Sequence, residues 1–387
     1  MIRLFETGDL HIGRNYSDKN KHPEGRALSE KRLEAIQGMV DTANAEQCDL
    51  FVVTGDLFDK TNGVAKKNIK EVVEKLACFK GPVLVLPGNH DYYPDDCIPD
   101  VWNKFMDASE DKENIILLHK FEPYDLIVGD EDVVIYPAHC QVDTSPKNNL
   151  GWIKEQEIPK DGIYRIGIAH GAVEGHTIDT EGVYFLMTED ELKAIPMDVW
   201  LIGHTHVMFP DDLTSNYKSA GTIFNAGTHV QTDVRNNTKG NCFIIEIEKT
   251  SDGKASVRAK RYISGNIFFK RCELHIEPNG SGTELKDAIE NAVAGLDTNT
   301  SVSLKLSGTV SREEYETREE IYAAALDRFF EHPHPTDKDL IELISEEFIR
   351  SEFSELTFPA KLLMQLVDDP KKAQLAYDLL KKKECQA

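Results

Sequence analysis

The chain has 387 residues, 40% of them hydrophobic and 29% charged, proportions that exclude long disorder as its main character and allow a sizeable core. That length exceeds the usual single core, so one large domain with one or two smaller units is expected. Lys and Arg number 44 against 67 Asp and Glu, a net charge of −23, which repels nucleic acid at long range unless a local basic stripe or bound metal cations intervene.

In chain order, short apolar runs predict strands over 2–7, 50–54, 82–86, 133–137, 164–169, 199–202, 222–225 and 242–248. Between them, residues 30–45 and 64–79 carry apolar side chains at helical spacing, and Thr188 with Glu191 forms a capping box that opens a short helix. This alternation of strand, turn and helix predicts an α/β or α+β sandwich over residues 1–250. Ser251-Asp252-Gly253 is a turn, and residues 255–263 read as a strand leading out of the first unit. A small α/β unit over 251–335 follows, with strands at 272–276 and 302–306 and helices at 285–293 and 317–330. His332-Pro333-His334-Pro335 breaks the pattern, and 336–387 reads as a helical C-terminal segment interrupted at Pro359 and Pro370.

No stretch reaches the roughly 18 apolar residues of a membrane span, and the start Met1-Ile2-Arg3-Leu4-Phe5-Glu6 lacks the features of a secretory leader. Cys48, Cys78, Cys97, Cys140, Cys242, Cys272 and Cys385 stand singly, as reduced thiols do, and not as a disulfide frame or a zinc knuckle. A cytoplasmic protein is expected.

Chemistry is concentrated directly after the apolar runs. They end in Gly8-Asp9-Leu10-His11, Gly55-Asp56-Leu57-Phe58-Asp59, Gly88-Asn89-His90-Asp91, His170-Gly171 and Gly203-His204-Thr205-His206. Loops at the carboxyl ends of strands are where open α/β sheets hold their ligands, so five pieces are expected to meet on one edge. The adjoining glycines allow a sharp turn that frees the side chain to enter a cleft. Carboxylates and neutral imidazoles suit two divalent ions, manganese first, with iron or zinc possible, and the absence of nearby cysteine argues against a thiolate site. A bridging carboxylate can hold two ions roughly 3.5–4 Å apart, the arrangement that clamps attacking and leaving oxygens at phosphorus. Asp56 is the expected bridge.

The order Asp9-x-His11, Gly55-Asp56, Gly88-Asn89-His90-Asp91, His170, Gly203-His204-x-His206 resembles the calcineurin-like metallophosphoesterase superfamily. The form Gly55-Asp56-Leu57-Phe58-Asp59, the late turn Asn225-Ala226-Gly227-Thr228 followed by Lys239-Gly240, and a unit after the catalytic domain resemble in particular its SbcD-type DNA-repair exonuclease subunits. The resemblance implies a β-sandwich flanked by helices, with a small α/β cap and a helical tail. It implies one ion on Asp9, His11, Asp56 and His206, another on Asp56, Asn89, His170 and His204, and in-line attack at phosphorus. His90 would stabilise the transition state or protonate the leaving oxygen, and Asp91 would orient His90 or hold its loop. Asp59-Lys60-Thr61 stands where Ser/Thr phosphatases carry Asp-Arg-Gly, and some nuclease relatives have His at the position of Asp59, which puts exonuclease efficiency in question.

The implied function is a two-metal phosphodiester hydrolase acting on DNA. The alternatives are a phosphodiesterase or phosphatase for small nucleotides, which the net charge favours, and a protein that chiefly scaffolds a coiled-coil ATPase of the SbcC kind. The apolar residues between Ile344 and Leu366 read as packing on their own chain or docking on such a partner. The stripe over 64–79 reads as core or, less commonly, as a homodimer contact. The loop from Arg14 to Arg26, with Arg14, Lys19, Lys21 and Arg26 against Asp18 and Glu24, is a solvated loop or a track for phosphates. His176 and His229 lie near motifs, but exposed or capping positions are the commoner setting for histidine.

Overall fold

The computed structural model describes all residues except 15–24, 160, 177–181, 233–237, 251–253, 279 and 385–387. Most of the basic loop after Arg14, the turn at 251–253 and Cys385 therefore lie outside the described residues. The chain divides into two compact units, Met1–Ile267 and Phe268–Ala387.

In the first unit the chain runs β1 (Ile2–Thr7), α1 (Gly25–Ala45), β2 (Leu50–Val53), α2 (Lys66–Leu76), β3 (Val83–Val85), α3 (Asp100–Ser109) and β4 (Ile115–Leu117). It continues through β5 (Tyr124–Val128), β6 (Glu131–Ala138), α4 (Gly151–Lys154), β7 (Tyr164–His170), α5 (Glu189–Ala194) and β8 (Val199–Gly203). It closes with β9 (Lys218–Ser219), β10 (Ile223–Phe224), β11 (Cys242–Lys249) and β12 (Ala255–Tyr262). One sheet has the order β4-β3-β2-β1-β11-β12-β9 and the other β10-β8-β7-β6-β5. β1 to β4 are mutually parallel, and so are β6, β7, β8 and β10.

The near-continuous apolar character of the strands follows from burial on both faces. In β1, Ile2 and Leu4 face the other sheet while Phe5 faces the helices, and in β2 Leu50 and Val52 oppose Phe51 and Val53 in the same way. The inter-sheet core joins these residues to Ile135, Ile166, Ile168, Val199, Leu201 and Phe224. α1, α2 and α3 cover one outer face through Ile36, Val40, Val72, Leu76, Trp102 and Phe105. Leu150, Ile153, Leu192 and Ile195 cover the other, over Trp200 and Ile202. The result is a helix, sheet, sheet, helix sandwich. The apolar stripe of α2 (Ile69, Val72, Val73, Leu76) is buried within its own chain. The capping box of α5 forms, Thr188 Oγ1 accepting the Glu191 N–H and Glu191 accepting the Thr188 N–H, both at 3.1 Å.

The second unit runs β13 (Phe268–Ile276), α6 (Glu284–Val293), β14 (Thr300–Val310), α7 (Arg312–Glu316), α8 (Arg318–Leu326), β15 (Thr336–Glu342), α9 (Glu346–Glu352), α10 (Phe358–Leu366) and α11 (Pro370–Glu384). Its sheet, β13-β14-β15, is parallel throughout. Residues 336–342 are thus a strand where the sequence reads as helix. Their charged pattern has no clean period-two alternation, and pairing with β14 decides the conformation. Ile344, Ile349, Leu363, Ala373 and Tyr377 form a separate small core among α9, α10 and α11.

Candidate metal centre

The carboxyl ends of β1, β2 and β3 in one sheet and of β7 and β8 in the other carry the predicted motifs. Their loops are tied edge to edge: Asp9 N–H donates to Gly55 O at 3.1 Å, His11 N–H to Asp56 O at 2.9 Å and Ile12 N–H to Leu57 O at 2.9 Å. Five of the seven predicted ligands adopt positive φ, namely Asp9 (52°), His11 (44°), Asp56 (50°), His204 (110°) and His206 (51°). Non-glycine residues enter that region at a cost of about 1–3 kcal/mol each, and such strain gathers at functional sites. The adjoining glycines do more than turn the chain. A Cβ on Gly55 would lie 2.1 Å from His170 Nδ1, and one on Gly88 would lie 2.2 Å from Asp56 Oδ1. Gly55→Ala is therefore expected to lower stability by roughly 2–5 kcal/mol, from overlap and a strained φ together. Urea denaturation measures that loss.

The donor atoms fall into two groups that share Asp56. In the first, His11 Nε2 is 2.9 Å from His206 Nε2 and 3.7 Å from Asp56 Oδ2, and His206 Nε2 is 3.6 Å from Asp9 Oδ1. In the second, Asn89 Oδ1 is 3.1 Å from His170 Nε2 and 3.0 Å from His204 Nδ1, and His170 Nε2 is 3.5 Å from Asp56 Oδ2. His170 Nδ1 donates to Thr54 O at 2.8 Å, which turns Nε2 toward the cluster. Asp9, Asp56 and His170 are fully buried, while His206 is partly exposed and His90 exposed, so the centre opens on the His90 side.

Burial and the neighbouring donors together set the charge of each group in the cluster. Burial, reinforced by Asp56 and opposed by His170, pushes Asp9 up to about 7. Burial also disfavours a charge on Asp56, yet His170 and His11 hold its carboxyl well below the usual range. His170 is lowered by burial but raised further by Asp56, to about 9. Burial lowers His11 well below its ordinary value, His204 to about 3 and His206 to about 4, so these three rings stay neutral, the form that binds metals.

Residues 2–208 match the calcineurin-like phosphoesterase family, more than half of the chain. The chain belongs to this family. The uncharacterized metallophosphoesterase YhaO of Bacillus subtilis (strain 168) is 25% identical over 212 residues, which cover 53% of this chain and 48% of that protein. The SbcD component of the SbcCD nuclease of Escherichia coli (strain K12) is 29% identical over 92 residues, 23% of this chain and 21% of that one. The chain thus matches about half the length of these curated relatives or less. Among solved structures, a dimetal phosphatase from Danio rerio is similar with a TM-score of 0.35 at 10% identity, over 67% of this chain and 98% of that chain.

Calcineurin-like phosphoesterases are hydrolytic and use a dinuclear metal centre, and the donor set here fits one. With metal–ligand bonds of about 2.1 Å, neighbouring donors around an ion lie roughly 3.0–3.4 Å apart, close to the 2.9–3.7 Å separations in both groups. At 2.9 Å, His11 Nε2 and His206 Nε2 can share one N–H or a cation. Groups of potential ligands with all atoms within 4.8 Å are Asp9-His11-His206, Asp9-Asp56-His170 and His11-Asp59-His90.

The third group brings in Asp59, whose Oδ1 is 3.6 Å from His11 Nδ1. The sequence marked Asp59 only as a departure from some relatives. His90 Nδ1 lies 3.2 Å from the Asp59 carbonyl, and its ring stands edge-on to His11 with centroids 4.7 Å apart. Both carboxylate oxygens of Asp91 accept backbone N–H groups, from Gly88 at 2.7 Å and Phe58 at 2.8 Å, and its carbonyl accepts Trp102 Nε1–H. Those bonds lock the loops after β2 and β3 together. Asp91→Ala should therefore cost on the order of 3 kcal/mol through two orphaned buried N–H groups, read as a lower thermal midpoint with the metal-loaded chain.

His229 is fully buried and shares a 3.2 Å contact between Nε2 and Arg32 O, and His176 meets Glu189 Oε1 at 2.6 Å. The turn at 225–228 supports the His204-Thr205-His206 loop, since Asn225 Nδ2 donates to Thr205 Oγ1 at 2.7 Å. The Tyr184 ring, 5.0 Å from that of His204, also borders the site and had no motif to reveal it.

Proposed function

We propose that this chain is a two-metal phosphodiester hydrolase of the SbcD nuclease kind, with DNA as substrate and manganese as the ion. The reading rests chiefly on one observation: two donor groups meet at Asp56 Oδ2, beside a histidine that is exposed and not among the proposed ligands. Asp9, His11, Asp56 and His206 would hold one ion, and Asp56, Asn89, His170 and His204 the other. Bound there, the ions supply Lewis acidity and lower the pKa of water. Thr54 O fixes the tautomer of His170, and the Asp56 carboxylate fixes the loop of His90 by accepting its N–H at 2.8 Å. His90, with Nδ1–H given to the Asp59 carbonyl, would as an imidazolium offer Nε2–H to the leaving oxygen or a phosphoryl oxygen. Asp91 holds the loop.

A small-nucleotide diesterase is the second reading, favoured by the net charge of −23. Manganese-dependent cleavage of end-labelled linear DNA, run beside small phosphodiesters, separates the two. DNA cleavage supports the nuclease, and turnover of small esters alone supports the second reading. For partners, Leu356 (86% exposed) and Phe358 (71%) leave apolar surface at the start of α10, which suits docking on a coiled-coil ATPase of the SbcC kind. A cytoplasmic setting is consistent with the free Cys48, Cys78, Cys97, Cys140, Cys242 and Cys272. Among the described residues no helix is long and apolar enough to cross a membrane.

A further inference from the structure

A narrow cleft beside the metal centre is lined by His11, Gly13, Arg14, Ser29, Arg32 and Asn68, among others. Of the seven proposed ligands only His11 borders it, so it flanks the proposed centre. Arg32, on α1, is only 3% exposed, yet it forms no ion pair within 4.0 Å among the described residues. Its Nη2 donates to the Leu10 carbonyl, while Nε and Nη1 have no hydrogen-bond partner. A buried guanidinium with two idle donors is costly unless a charge or acceptor meets it. The cost would increase with two cations nearby. An anion at the mouth of the cleft, with one oxygen entering its water-sized interior of about 10 Å³, supplies an acceptor and opposes the charge. Nε and Nη1 lie on different edges of the guanidinium, so each would meet its own oxygen. Arg14 lines the same cleft and adds a second positive charge in a chain whose net charge is −23.

We infer that Arg32, assisted by Arg14, forms an anion subsite for a second phosphate of the substrate, adjacent in the substrate to the one being cleaved. This deepens the diesterase reading above and rests on it for the identity of the reacting group. The chemistry is common to a nucleic-acid backbone and to a small nucleotide carrying an additional phosphate. It predicts selection of substrates with more than one phosphate over simple diesters.

The test uses the full, metal-loaded chain as wild type, Arg32→Gln, Arg32→Lys and Arg14→Gln, with metal content measured for each. Calorimetric titration with inorganic pyrophosphate should show binding weakened tenfold or more in Arg32→Gln and partly restored in Arg32→Lys. In steady-state assays Arg32→Gln should raise KM tenfold or more for a 5′-phosphorylated dinucleotide and for an oligonucleotide, while bis(p-nitrophenyl) phosphate stays within twofold. A larger effect on the oligonucleotide points to a backbone phosphate, and an effect confined to the dinucleotide points to a small nucleotide; either outcome supports the subsite. An equal loss on all substrates would make Arg32 a structural strut and overturn the inference. Unchanged pyrophosphate binding would overturn it too. If no diester is turned over by wild type, the diesterase reading falls, and pyrophosphate binding alone still decides the subsite. Should Arg32→Gln fail to fold, Arg14→Gln carries the same comparison with a smaller expected change.

Discussion

Asp56→Ala is expected to reduce bound metal from two ions per chain to one or none, and to lower kcat by at least the roughly 10²–10³ that loss of one preorganised electrostatic group costs. The expectation follows from position more than from residue type. Asp56 Oδ2 stands 3.7 Å from His11 Nε2 and 3.5 Å from His170 Nε2, so a single oxygen of this carboxylate faces both donor groups. Its other oxygen accepts the His90 N–H at 2.8 Å, so the substitution also loosens the loop that carries His90. Asp56→Asn keeps the shape and that acceptor but removes the charge, and should lose metal nearly as well if charge is what counts. Elemental analysis after dialysis, with denaturation in the presence and absence of a chelator, reads the result. Wild type should lose stability on chelation, because ions bound only by the folded chain add their binding free energy to its stability. Asp56→Ala should respond little. Two tightly held ions in Asp56→Ala would contradict the bridging role.

His90→Ala should behave in the opposite way, keeping both ions while turnover falls by roughly 10²–10⁴, the range for loss of a positioned acid or base. The structural reason is that the His90 side chain is exposed on the rim, and the group the centre uses from it is its backbone N–H, which alanine retains. Its ring meets the Asp59 carbonyl and the edge of His11, so truncation leaves no buried cavity and the thermal midpoint should hardly move. Single-turnover assays on the best substrate, together with metal content, test this. Full activity in metal-replete His90→Ala would remove the proposed role. Loss of metal with loss of activity would make His90 a ligand through the His11-Asp59-His90 group.

The sequence by itself determined which acidic and histidine residues stand at loop starts and why they lie there. Apolar runs such as those at 2–7 and 164–169 read as strands because burial on both faces demands continuous apolar side chains, and each acidic or histidine motif begins where such a run stops. Short elements without a period of their own stayed hidden: β4 and β9 have three residues and two, and β5, of five, alternates only partly buried and exposed positions before Val128. β15 is a charged strand that only its pairing with β14 defines. Tertiary structure alone decided that His11 and His206, 195 positions apart, would meet at 2.9 Å, and Asn89 and His204, 115 apart, at 3.0 Å. It also decided the burial of Arg32 and the task of Asp91, whose carboxylate serves two backbone N–H groups. Sequence patterning records what a strand or helix must bury, which is local. Which loop ends coincide, and which polar groups are left without partners, depends on how two sheets pack, and that is a property of the whole chain.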